Sequence, residues 1–170
     1  EHPSAGVFGS CGAGGGTLSA APDSGNTSQV QQMSDPRARA EATVRAYYDA
    51  FNRGDVEGFL AALTEDVVHD ISQGPREGGR EAFRAFMARM NRCYAERIED
   101  LVVLTEPSGT RAAAEFTVHG RYLVTDPGLP EARGQSYALQ AGAFFELRDG
   151  RVARISNHYN LQDWLRQVVG

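Results

Sequence analysis

The sequence predicts an α+β domain in which three helices lead into a run of antiparallel strands and pack on one face of a curved sheet. Three observations carry this. Between residues 36 and 95 the apolar residues recur at helical spacing, and from Ile98 onward they alternate with the period of strands. Asp149 and Gly150, set between FFELR and RVARI, form a two-residue hairpin signal. At 170 residues the chain can bury one sizeable core.

Residues 1–32 read as a disordered tail. The run GSCGAGGG is followed by Ser, Ala, Pro, Asn and Gln, and such a segment buries too little apolar surface to offset its ordering entropy. It lacks the basic start and continuous apolar run of a secretory signal, so no targeting role is expected. The domain, residues 33–170, begins with a helix capped by Ser34 or Asp35, with Pro36 at an early helical position. Ala40, Val44, Tyr47, Tyr48 and Phe51 share its buried face, and Asn52, Arg53 and Gly54 end it. Asp55 caps a second, short helix carrying Val56, Phe59, Leu60 and Leu63. A strand over EDVVHD then runs into the turn-rich SQGPREGG. The third helix, from about Arg80 to Ala95, buries Phe83, Phe86, Met87, Met90 and Cys93 or Tyr94. Strands are predicted at Ile98–Leu104, Arg111–Val124, Gln135–Leu147 and Arg151–Asn160. The terminal DWLRQVV forms a closing helical turn capped by Asp163.

Composition narrows the function classes. The 17 cationic residues, all Arg, against 22 Asp plus Glu give a net charge of −5, which offers no reason to expect nucleic-acid or anionic-membrane binding. The absence of Lys excludes Schiff-base chemistry on a lysine. No apolar run is long enough for a membrane span. Cys11 and Cys93 show neither disulfide nor metal-ligand spacing, and the four histidines show no metal-ligand spacing, so no metal is expected and the reduced cytoplasm is the default setting. No nucleotide-binding glycine motif follows a strand.

Asp70 stands out. Alternation groups it with Val68 and puts Val67 and His69 on the opposite face. If Val68 faces the interior, so does Asp70, and a buried carboxylate needs a partner, a ligand or a task.

The order of elements, with YYDAFNRGDVEGFLAALTEDVVHD, GGREAFRAFMARM and AFFELRDGRVARISNHYN, resembles the nuclear transport factor 2-like superfamily over about residues 35 to 168. Within it, the chain is most similar to proteins related to ketosteroid isomerase and to the small SnoaL-like polyketide cyclases. The resemblance implies a cone-shaped roll with a mostly antiparallel sheet, an internal pocket between sheet and helices, and a homodimer. It gives Asp70 the place of a carboxylate base that moves a proton next to a carbonyl, and Tyr47 that of the tyrosine donating to the developing enolate oxygen. That isomerase is a worked case of tuned carboxylates.

The second oxyanion donor of such isomerases falls, by the same alignment, on Ala143, or on Gly142 if the hairpin is one residue longer. Neither can donate from a side chain. Asn157 and Tyr159 on the last strand are the substitutes, sharing a face with Ile155 that the comparison turns toward the pocket. Phe116, Val118 and Val68 supply apolar wall, so the expected ligand is small and apolar with one or two oxygens. His69, His119 and His158 fall on faces turned away. Arg76, Glu77 and Arg80 either rim the pocket or are solvated.

The function expected is a cofactor-free isomerase or aldol-type cyclase. Two other classes on this fold are an epoxide hydrolase, needing a carboxylate pair with an arginine, and a dimeric binding module without catalysis.

Overall fold

A computed structural model describes residues 35–170; the predicted tail, 1–32, lies outside the described residues, and so does Cys11. Asp35 caps the first helix, α1 (Pro36–Arg53), its carboxylate accepting from the Arg37 amide at 2.9 Å. Gly54, at φ 66°, closes the helix in the left-handed conformation that a side chain disfavours. Asp55 accepts from the Gly58 amide and starts α2 (Val56–Ala61). Leu63, expected in that helix, instead opens β1 (Leu63–Asp70).

The turn-rich segment holds a short strand that the sequence pattern does not announce, β2 (Arg76–Gly78), paired antiparallel with β1. The third helix, α3 (Arg80–Cys93), passes directly into β3 (Tyr94–Thr105), which therefore starts at Tyr94 rather than near Ile98. The remaining strands are β4 (Arg111–Tyr122), β5 (Ser136–Arg148) and β6 (Arg151–Tyr159). A closing helix, α4 (Leu161–Val169), is capped by Asn160 rather than Asp163.

The strands form one curved, unclosed sheet in the order β2-β1-β6-β5-β4-β3. Every neighbouring pair is antiparallel except β1 and β6, which run parallel. Asp149 at φ 52° and Gly150 at φ 73° turn β5 into β6, the positive φ values that a tight two-residue hairpin requires. The helices cover the concave face. There Tyr47, Tyr48, Phe59, Phe83, Phe116 and Phe145 form a continuous cluster of rings. Truncating one such ring to Ala typically costs about 3–5 kcal/mol.

The open edge of β3 is managed by α1. Asn52 donates to the Ile98 carbonyl and accepts from the Ile98 amide, both at 2.8 Å, so one side-chain amide takes the place of a neighbouring strand.

Candidate functional site

Because β3 starts at Tyr94, alternation turns Tyr94, Glu96 and Ile98 toward the helices. Glu96 is thus a carboxylate on the concave face. It sits across from Gly120 on β4, which pairs in turn with Tyr137 on β5. Tyr137 lies over Gly120: a Cβ there would come 2.2 Å from the ring. The missing side chain lets the Tyr137 hydroxyl reach across the strand and donate to Glu96 Oε1 at 2.6 Å.

No cation pairs with Glu96 among the described residues. Burial pushes its carboxyl above the usual carboxylate range, against the opposing pull of the Tyr137 hydroxyl. Burial, reinforced by the adjacent carboxylate, raises the Tyr137 phenol too, so it stays a donor. Glu96 also lines a cleft of about 490 Å³ between the C-terminal ends of α1 and α3 that wraps the edge of β3, with Phe51, Met90 and Tyr94 as apolar wall and Arg53, Arg97 and His119 as its charged and polar rim. A volume of that order fits a small ligand.

Three further polar side chains share the concave face. Tyr159, on β6, has its phenol raised by burial and then by the charges of Glu96 and Asp126, so it too stays protonated. Asn157 Nδ2 lies 3.3 Å from His69 Nε2. His69 is only 2% exposed, stacked flat on Phe83 with Phe86 edge-on. Burial lowers its pKa to about 4, with the nearby Asp70 charge working the other way.

The placement of Asp70 corrects the expectation. Val67 and His69 face the helices, while Val68 and Asp70 face the outer side of the sheet. The phase was anchored on Val68, but either half of the Val67–Val68 pair could have faced inward. Asp70 is gripped by Arg76 Nε at 2.5 Å and by Arg154 Nη2 at 2.6 Å. The Arg76 guanidinium, then that of Arg154, holds its carboxyl below the ordinary range, which makes it a poor base. Val68 is likewise not a wall of the cleft. Arg154 also binds Glu146 at 3.0 Å, so a carboxylate pair joined by an arginine does exist, but on the outer face.

The other predicted residues are placed as follows. Phe116, Val118 and Ile155 are buried on the concave face. Tyr47 is inside as well, packed against Phe59, Tyr48 and Phe145. Its phenol, raised by burial, stays protonated. Ala143 is buried directly opposite Asn157. His158 and His119 lie on the outer side, where His158 contacts Ser156 and His119 approaches Glu99. Arg76 holds Asp70, and Arg80 donates to the Leu63 carbonyl while pairing with Glu65. Among the described residues, no three His, Cys, Asp or Glu side chains converge as metal ligands would.

Glu96 is the group that sequence reasoning missed, because it falls between a helix read to about Ala95 and a strand read from Ile98. The inward parity of Tyr94, Glu96 and Ile98 was the available signal.

A model of the SnoaL-like domain matches residues 44–155. The chain belongs to the SnoaL-like family. A protein of known structure from Pseudomonas putida, provisionally named a polyketide cyclase, is 59% identical, with 76% of this chain and 97% of that chain covered and a TM-score of 0.75. A second protein given the same provisional name, from Xanthomonas campestris, is 55% identical over 78% of this chain and 98% of its own, at a TM-score of 0.76. An NTF2-like protein of unknown function from Burkholderia pseudomallei, 22% identical over 78% and 98% of the two chains, has a TM-score of 0.64 and shares the fold alone. No curated protein matched. The SnoaL-like family and the NTF2-like fold accordingly hold for this chain, and the curved, unclosed sheet agrees with both.

Proposed function

We propose that this SnoaL-like protein is a cofactor-free enzyme that moves a proton next to a carbonyl in a small apolar substrate, as in isomerisation or aldol-type cyclisation. The observation that carries the reading is Glu96, a concave-face carboxylate with no ion-pair partner among the described residues, lining the cleft at the β3 edge. In this role Glu96 is the base. A carboxylate raised by burial is a stronger base than one held low by arginines, as Asp70 is. The Tyr137 hydroxyl steadies one oxygen and leaves the other for the substrate C–H. Tyr159, protonated and close enough to feel the Glu96 charge, donates to the carbonyl oxygen as negative charge develops there. The provisional cyclase name of the 59%-identical relative supports the same class.

The test is α-deuteration of a plain bicyclic ketone, 2-tetralone, in D2O, followed by NMR. Glu96→Gln is expected to lower the catalysed rate by about 10²–10⁴, the usual range for a lost acid–base group. Asp70→Asn should leave the rate unchanged. A wild-type rate in Glu96→Gln would remove Glu96 from the mechanism.

The assembly proposed is a homodimer through the outer face of the sheet. Phe144, 60% exposed, projects there two residues from Gly142, beside a shallow hollow of about 410 Å³ at the end of β6 that Glu115, Gln140 and His158 line together with Tyr159 and Asn160. A knob and a hollow on one face are self-complementary about a two-fold axis. The setting proposed is cytoplasmic, in keeping with the buried free thiol of Cys93. No described helix is long and apolar enough to cross a membrane.

A further inference from the structure

His69 carries a buried polar atom for which the proton transfer assigned to Glu96 has no use. Asn157 Nδ2 approaches its Nε2 at 3.3 Å. An amide nitrogen only donates, so Nε2 accepts and the hydrogen of the neutral ring sits on Nδ1. Nδ1 is buried and has no hydrogen-bond partner. A buried N–H without an acceptor is costly, and its retention is accounted for if a ligand supplies the acceptor. The ring is fixed from several sides: Phe83 stacks on it at 4.3 Å, Phe86 stands edge-on at 4.6 Å, and Asn157 holds Nε2. Asn157 itself stands directly across from Ala143, the position where the sequence resemblance left a donor missing.

We infer that His69 Nδ1–H holds the carbonyl oxygen of the ligand, with Asn157 as the positioning residue that selects the tautomer. The ligand class is a neutral apolar ketone. A neutral N–H suits it because a carbonyl oxygen only accepts, and because the donor gains strength as the oxygen becomes enolate-like. This rests on the reading of the concave face as a small-molecule site, but not on Glu96 as the base.

The experiment uses the full chain with ¹⁵N-labelled histidine, 2-tetralone as the probe and the hydrocarbon tetralin as its oxygen-free control. The free protein should show His69 as the Nδ1–H tautomer, and 2-tetralone should shift that N–H signal downfield while tetralin leaves it in place. Asn157→Leu should release the tautomer preference in the same spectra. His69→Phe should weaken 2-tetralone binding by about tenfold, the loss of one good hydrogen bond. His69→Asn, whose amide nitrogen overlies Nδ1, should restore it. Asp70→Asn, on the outer face, should bind the ketone as wild type does, and because binding and the N–H signal are read without turnover, this inference stands or falls apart from the proposed base. An Nε2–H tautomer, an Nδ1–H signal unmoved by 2-tetralone at its solubility limit, or equal affinity in wild type and His69→Phe would each overturn it.

Discussion

Burial keeps His69 neutral in the folded protein down to about pH 4, and this has a signature in pH. Its folded pKa of about 4 lies below the ordinary value of 6.5, so between those values the unfolded chain binds the proton that the folded one refuses. His69 therefore costs nothing above pH 6.5, and its penalty grows as pH falls toward 4, by up to about 1.4 kcal/mol per pH unit. Glu96, raised by burial, works in the opposite direction, its stabilising protonation being lost as pH rises through its folded pKa. Asp70, held low, loses its contribution only as pH falls below its ordinary 3.8. The quantity to measure is hence the difference between wild type and His69→Phe in urea unfolding at pH 7 and pH 5. The gap should move in favour of the variant at pH 5, and a constant gap would mean that His69 titrates normally. At this scale the site was half legible in the sequence. Asn157 and Tyr159 lie on the face they share with Ile155, as strand alternation predicts. Asp70 and His69 were exchanged because the irregular pairing between Leu63 and Val68 turns Glu65 outward and Thr64 inward, which hides the parity running from Leu63 through Val67.

Helices were more legible than strands, for a physical reason. The caps at Asp35 and Asp55 and the stop at Gly54 are decided within a few residues, so local chemistry announces them. The tight turn at Asp149–Gly150 is local in the same way. The start of β3 is not local. Tyr94 takes an extended conformation while its ring stacks on Tyr122 at 5.2 Å and meets Trp164 of the last helix, and helical spacing carries no trace of those partners. The Asn52 clamp is a tertiary device of the same kind, and it is testable. Asn52→Ala removes both bonds to Ile98 and should destabilise the protein by about 1–3 kcal/mol, the cost of leaving backbone groups without partners. Amide hydrogen exchange at Ile98 should accelerate. Unchanged exchange there would show that solvent already satisfies that edge.

At the scale of the whole molecule, the outer face of the sheet carries a charged ladder and, beside it, three exposed apolar side chains. Arg76, Asp70, Arg154, Glu146 and Arg111 form a ladder of ion pairs across β2, β1, β6, β5 and β4. Beyond it Phe144, Val102 and Leu104 are exposed. If two copies meet there, Phe144→Arg should yield a monomer by sedimentation velocity with its thermal unfolding largely kept. A wild type that sediments as a monomer would discard the assembly. The one parallel pairing, β1 with β6, has a different consequence, in time rather than in space. The two residues it brings together, His69 and Asn157, are 88 positions apart, and β6 must insert between β1 and β5 to join them. Contacts that distant close late, after the local helices and hairpins have formed. A chain still emerging from the ribosome has β1 made and its inner edge open until the last strand arrives, so for most of synthesis the site has no form at all. A chain cut before Arg151 lacks the strand that joins β1 to β5 and should leave the site unassembled.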